Sequence, residues 1–293
     1  MTAEARTVVA IPPRDRIVED VRLLREWMAK EPHLPNVDDE TWLETFLYNN
    51  KFRLERTKAK LNSYYYLRTK YPQFLRDRDP TSPALLQTRR AVKLGVSHRL
   101  DESNCRLFFV RLEANSGIVD VENSTKRWLM IFDALMLERD RLTNYILVID
   151  YRNVRYSLFL KTLIVLKPAL EILFNAFTGR VCALHYIHAS SLAYRVTEFL
   201  KLNFPKRYMD RIYTHGDDYG TLKALVDERI LCKDLGGRGP SFVEMEEYTQ
   251  QLLERHKEWF QKQNDICSNE SLRRREPDEP EEIHGSFRKL AID

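Results

Sequence analysis

The residues best suited to chemistry lie in one short run: His185 and His188, with Ser190 and Ser191 close behind. Two histidines three apart invite a metal assignment. On a strand, however, residues i and i+3 point to opposite faces, so this pair cannot share an ion. Histidines satisfied within a sheet are the better reading. A serine beside a histidine invites nucleophilic catalysis, but no acidic residue is spaced nearby to orient the ring, and serine is common in loops. Asp217 and Asp218 follow His215 and Gly216 at a turn, where aspartate is favoured for backbone reasons alone. Gly236, Gly237 and Gly239 do not follow a strand at the spacing of a dinucleotide fingerprint, and read as a turn that ends a domain. Neither a GxSxG elbow nor a GxxxxGK[ST] phosphate loop occurs. The four cysteines, Cys105, Cys182, Cys232 and Cys267, are far apart and form no CxxC pair, so neither a zinc site nor a disulfide scaffold is expected. These residues predict no catalytic group, no metal, no cofactor and no enzyme activity.

The elements around them belong to a globular chain of 293 residues, 43% hydrophobic and 31% charged. A net charge of +4, from 47 basic and 43 acidic residues, is too small to mark a general polyanion binder, so no nucleic-acid partner is expected. The most apolar stretch, 158–177, is broken by Lys161, Lys167, Pro168 and Glu171 and falls short of the ~20 apolar residues of a spanning helix. Val8 to Ile11 is too brief for a signal peptide. A reduced, cytoplasmic protein is the expectation.

Helical spacing organises the first part. Ile17, Val21, Leu24 and Met28 share one face; Trp42, Phe46 and Leu47 share a second; Leu54, Leu61, Tyr64 and Tyr65 share a third. A three-helix module over residues 14–75 follows, with a proline-bearing linker at 76–84. The pattern then becomes β-rich at 106–112, 145–151 and 180–188, and weakly at 211–214. Helical stretches at 125–137 and 157–177 fall between the first three strands. Strands joined by helical crossovers predict an α/β domain with a parallel or mixed sheet over 84–240. One further amphipathic helix spans 241–263. Residues 264–293 read as a polar, solvated tail whose last apolar side chains, Phe287, Leu290 and Ile292, are expected to dock back onto the body.

Several runs together resemble the CRAL-TRIO lipid-binding family, and in particular the kind represented by the alpha-tocopherol transfer and retinaldehyde-binding proteins. The run from Leu184 to Ser190 resembles the family's strand ending in H-x-I-N-x-P. FPKRYMDRIYTHG, from Phe204 to Gly216, resembles its P-F-L-x-x-K-x-x-x-R-I-x-x-H-G, and LCKDLGG, from Leu231 to Gly237, its L-P-x-E-Y-G-G. Phe46, Leu47, Lys51, Phe52 and the Tyr71–Pro72 pair resemble its helical lead-in, and GSFRKL, from Gly285 to Leu290, its C-terminal segment. The sequence departs from the pattern at His188 and Ser190, where asparagine and proline are usual, and at Cys232 and Leu235, which replace a proline and a tyrosine.

The resemblance implies an apolar cavity between sheet and helices, closed by a helical gate, that holds a tocopherol, retinoid, carotenoid or similar lipid for transfer between membranes. Its alternative implication is a phosphoinositide-dependent recruitment module without transfer. On strand alternation, Tyr145, Leu147 and Ile149 would share the cavity face of one strand and Leu184 and Tyr186 that of the next, with Phe109 contributed by the first. Trp128, Phe132 and Leu135 would close one side, and Leu163, Leu166 and Leu170 another. The gate, about 193–208, would carry Phe199 toward the cavity, with Leu200, Leu202 and Phe204 toward a bilayer. Arg180, Arg207 and Arg211 match basic positions implied to bind phosphoinositide or an anionic membrane surface, where the protein would sit peripherally. Asn50 and Cys182 replace two further basic positions of that site.

Overall fold

The computed structural model describes residues 11–113, 119–138, 144–152, 154, 156–188, 206–216 and 219–274; of residues 156, 159 and 206–208 it describes the backbone alone. Helix α1 (Arg14–Lys30) buries Ile17, Val21, Leu24 and Met28, the stripe that helical spacing predicts. Helix α2 (Glu40–Asn49) is capped by the Asp39 side chain, which accepts from the Trp42 backbone N–H at 3.0 Å. Asn50 ends it, buried, its amide donating to the Phe46 carbonyl at 2.8 Å, so this side chain serves the helix end. Helix α3 (Leu54–Lys70) completes the module around an aromatic cluster of Trp42, Phe46 and Tyr64. A single turn, α4 (Pro72–Leu75), and helix α5 (Pro83–Ala91) lead into the sheet.

Five strands stand in chain order: β1 (Val92–Val96), β2 (Cys105–Leu112), β3 (Asn144–Asp150), β4 (Arg180–Ile187) and β5 (Ile212–His215). β1 runs antiparallel to β2, and the others are parallel. The crossovers are α6 (Val121–Leu137) between β2 and β3, and α7 (Tyr156–Asn175) between β3 and β4. β1 escapes the sequence reading although Val92, Leu94 and Val96 alternate, because five residues that continue directly from a helix have no turn signal to separate them. In β4 a bulge opposite Tyr145 and Ile146 resets the alternation, so Val181 joins one core while Cys182 and Ala183 pack against the other.

The sheet has a core on each face. Beneath α6 and α7 lie Phe108, Tyr145, Leu147, Leu184 and Tyr186, continuous with the core of the helical module. On the other face Leu107, Phe109, Ile146, Val148 and Ile187 meet Leu222, Ile230 and Leu231, together with Phe242 and Met245 of α9 (Phe242–Arg255). Helix α8 (Gly220–Lys223) is one turn, and α10 (Lys257–Lys262) follows α9. α9 lies so close to β1 that a Cβ on Gly95 would stand 2.9 Å from the Met245 Cβ, which is why that strand position carries glycine. Gly236 adopts a left-handed φ of 77°, and Gly237 and Gly239 press against the Leu231 carbonyl, so this run closes a chain turn.

The expected solvated tail needs correction over its first part. Residues 264–273 pack on the helical module: buried Arg68 donates to the carbonyls of Gln263 and Ile266, Ser268 bonds Tyr65 and Thr69, and the Asn269 N–H donates to the His33 carbonyl at 2.8 Å. Polar composition misleads there because the segment is held mainly by hydrogen bonds of its backbone and of polar side chains such as Asn264 and Arg273, not by an apolar stripe. Residues 275–293, with Phe287, Leu290 and Ile292, lie outside the described residues.

Candidate functional site

The layer between the sheet and α6/α7 changes character along the strands. At the strand N-terminal end it is packed solid around Phe132, which stacks on Phe108 (ring centroids 4.8 Å apart) and Phe177 (5.3 Å) and meets the edge of Tyr145 (5.0 Å). Phe132, Leu135, Tyr145, Leu147, Leu170 and Leu184 are all buried in this layer. Toward the strand C-terminal ends the same face carries Val110, Leu112, Ile149 and Tyr151, all only partly buried, opposed by Trp128 of α6 and Leu163 and Leu166 of α7. Register places Val110, Ile149 and Tyr186 side by side across three strands. Apolar side chains left partly accessible here set this half of the layer apart from the close packing around Phe132.

Phe109 does not belong to this group. Register pairs Phe108, not Phe109, with Leu147, and Phe109 faces the opposite core, 4.2 Å from the Phe242 ring centroid. The Leu-Phe-Phe-Val run of β2 is bounded by Arg106 and Arg111, five positions apart and so on opposite faces, and parity is set only by the neighbouring strand. Phe199, Leu200, Leu202 and Phe204 lie outside the described residues, as does the side chain of Arg207. Arg180 is exposed at the start of β4, and Arg211, just before β5, donates to the adjacent Val181 carbonyl at 3.2 Å, so these two cations share one end of the sheet. Cys182 is partly buried on the opposite face from Leu184.

The two histidines do occupy different settings. His185 is buried, its Nδ1 2.9 Å from His215 Nε2, while His215 Nδ1 lies 2.8 Å from Thr221 Oγ1 and Tyr213 stacks on the His185 ring. Burial, then the His215 charge, lowers His185 from 6.5 to about 3, and burial lowers His215 in the same direction. Both are therefore neutral in the folded chain, whereas the unfolded chain takes up protons as pH falls below 6.5. Stability is fully present above that pH and declines on acidification, by roughly 2 kcal/mol between pH 7.5 and 5 for His185 alone. Urea midpoints at the two pH values should differ accordingly, and the His185→Gln variant should show a flatter profile; equal slopes would refute the assignment.

His188 sits just past β4 with a φ of 53°, and its Nδ1 lies 2.9 Å from Oδ1 of buried Asp150, at the end of β3. Its Nε2 is 3.1 Å from both the Tyr219 hydroxyl and Arg152. The histidine thus has an acidic orienter that sequence spacing does not show, because Asp150 lies 38 positions away and reaches it only through parallel pairing of β3 and β4. Ser190 and Ser191 lie outside the described residues. No group of three or more His, Cys, Asp or Glu among the described residues is placed to hold a metal ion, and no described helix is long and apolar enough to cross a membrane.

A concavity of about 510 Å³ lies between α1 and α2, half open, with Ile17, Val18 and Val21 beneath Arg14, Arg22, Arg25, Glu40 and Glu44. Ion pairs Arg14–Glu44 and Arg25–Glu40 bridge its walls. Burying a lipophile there would desolvate those pairs, so the sheet layer is the better apolar site.

Comparison with known proteins bears on the same segments. A family model described as Pinta-like, UBA domain matches residues 14–85, and the CRAL/TRIO domain model matches residues 90–237. Clavesin-2 of Homo sapiens is 22% identical over 236 residues, covering 78% of this chain and 71% of the relative, and Clavesin-2 of Rattus norvegicus matches equally. Clavesin-1 of Xenopus laevis is 20% identical over 235 residues, covering 78% and 70%. Among solved structures, the crystal structure of Sfh5 aligns over 84% of this chain and 99% of its own, with 11% identity and a TM-score of 0.48.

Proposed function

The chain belongs to the CRAL/TRIO domain family, whose members bind small lipophilic ligands, and on that premise we propose that it carries one hydrophobic small molecule between membranes, held between the sheet and α6/α7. The observation that carries this reading is the partly accessible apolar face of Val110, Ile149, Leu163 and Leu166 above a solid aromatic floor. A guest of ~20 CH₂ equivalents, at about 0.8 kcal/mol each, would be retained strongly before ordering costs are subtracted. Membrane contact is supported by α7, where Leu160 and Ile164, 45% and 77% exposed, stand one helical turn apart beside exposed Lys161 and Lys167. The guest class is a tocopherol, retinoid, carotenoid or similar lipid, and the gate about 193–208 is part of the same reading.

Protein purified under native conditions should carry a lipophile in about equimolar amount, seen by mass spectrometry of an organic extract. An empty extract together with no uptake of tocopherol, retinoid, carotenoid or phospholipid probes would overturn the proposal. Arg180 and Arg211, at one end of the sheet, favour a second reading, recruitment to phosphoinositide-bearing membranes with Arg207 as third cation. Vesicle binding lost on charge reversal of these residues, without any lipid exchange, would select that reading over transfer.

A further inference from the structure

The outer side of α7 carries a stripe that runs down to α3. Leu160, Ile164, Lys167 and Glu171 recur at helical spacing on one face, with Lys161 beside them; Leu160, Lys161, Ile164 and Lys167 are all exposed. The foot of the stripe is fastened to α3 and the residue after it: Lys70 donates to Glu171 Oε1 at 2.6 Å, and the Tyr71 hydroxyl to Oε2 at 2.6 Å. Lys70 Nζ also stands 5.9 Å from the centroid of the Tyr66 ring. Arg273 stands 5.8 Å from the same centroid and donates to Asn62 Oδ1 at 3.1 Å. The described part of the chain therefore ends, at Arg274, next to the foot of this stripe. Residues 275–293 follow. Glu276, Asp278, Glu279, Glu281 and Glu282 come first, and Phe287, Leu290 and Ile292 after them. That order matches the stripe, which offers lysines and then exposed apolar side chains to a segment coming from α3.

We propose that residues 275–293 cross α3 and seat Phe287, Leu290 and Ile292 on Leu160 and Ile164 of α7, with the acidic run beside Lys167 and Lys161. The reach is sufficient. From Glu171 to Leu160 is about 16 Å of helix at ~1.5 Å per residue. Residues 275–286 span up to about 40 Å when extended, at ~3.3 Å per residue. Tethering favours this chain's own segment over a separate partner, because a short linker supplies an effective concentration of roughly millimolar. The exposed charges steer the segment, and burial of the apolar side chains retains it. The seated segment covers the side chains that the carrier reading turns toward a membrane, so it competes with the bilayer for α7. That consequence rests on the membrane role given to α7 above; the docking itself does not.

The test treats the full chain, in dilute solution, with a carbodiimide that joins a carboxylate to an adjacent lysine, and reads the linked peptides by mass spectrometry. Links from Glu281 or Glu282 to Lys161 or Lys167 should form within one molecule, so an equal mixture of light and isotope-labelled chains should give no mixed products. The Lys70–Glu171 link, from a pair in direct contact, serves as the internal reference. Against it, the Phe287→Ser, Leu290→Ser double variant and the Ile164→Ser variant should each lose the tail links by about fivefold or more, as removal of apolar contact requires. The same double variant should bind vesicles of phosphatidylcholine and phosphatidylserine at least about threefold more tightly, because the intramolecular competitor is gone. Absent tail links, links that persist in both variants, links only between molecules, or vesicle binding that the double variant does not raise overturns the proposal. None of these outcomes touches the carrier reading, which stands on lipophile content. An empty lipophile extract would in turn leave the cross-links to be read as before.

Discussion

Replacing Asp133 with alanine should lower the unfolding free energy by about 3–5 kcal/mol, read as a shift in urea midpoint at unchanged slope. The Asp133 carboxylate is fully buried on α6, accepts the Tyr64 hydroxyl at 3.0 Å and forms an ion pair with Arg78, whose side chain is 1% exposed. Tyr64 belongs to α3 and Arg78 to the segment before α5, so one carboxylate joins the helical module to the layer between the sheet and its crossover helices. Alanine would strand the guanidinium without a counter-charge, its remaining neighbours being the Phe260 ring at 5.1 Å and the Trp259 ring at 5.9 Å. Removing both charges with shape-matched apolar residues, Asp133→Leu with Arg78→Met, should recover most of the loss, because the penalty comes from an uncompensated buried charge. A single variant costing less than about 1 kcal/mol would show that water reaches the pair and that the module is joined by other means.

Ile149→Trp should abolish lipophile uptake, by at least about tenfold in probe affinity, while the chain folds normally. Ile149 is flanked in register by Val110 and Tyr186, on the partly accessible face. Were that region packed like the floor around Phe132, a tryptophan would strain its neighbours at about 1–3 kcal/mol. In an open site it occupies the guest's volume and costs less than about 1 kcal/mol. Urea denaturation and probe titration therefore give opposite results in the two cases. A destabilised protein, or one that still takes up the probe with native affinity, would mean that no room for a guest exists at Ile149.

Much of this architecture was legible from residue order. Helical spacing of Ile17, Val21, Leu24 and Met28 requires a buried stripe, and the structure buries those four. The shared face of Tyr145, Leu147 and Ile149 follows from a strand period of two, a local property of the backbone. Phe109 shows where such reasoning ends: a strand with apolar residues and one arginine on each side has a period but no phase, and only the pairing of Phe108 with Leu147 chose its face. The bulge at Cys182 defeated counting for the same reason, since an inserted residue is defined by the strand opposite it.

What the amino-acid order determined by itself is therefore whatever depends on neighbours a few positions apart: the helices, four of the five strands, the α/β class, and the apolar character of the layer between sheet and crossovers. What only the tertiary structure decided is every relation across long separations. Asp150 orients His188, Asp133 holds Arg78 and Tyr64, residues 264–273 lie against the helical module, and the Tyr151 and Tyr186 rings meet edge to face. The reason is physical. Periodicity and capping are set by local dihedrals and short-range hydrogen bonds, whereas the partner of a buried polar group is chosen by desolvation, which depends on what the whole fold places beside it.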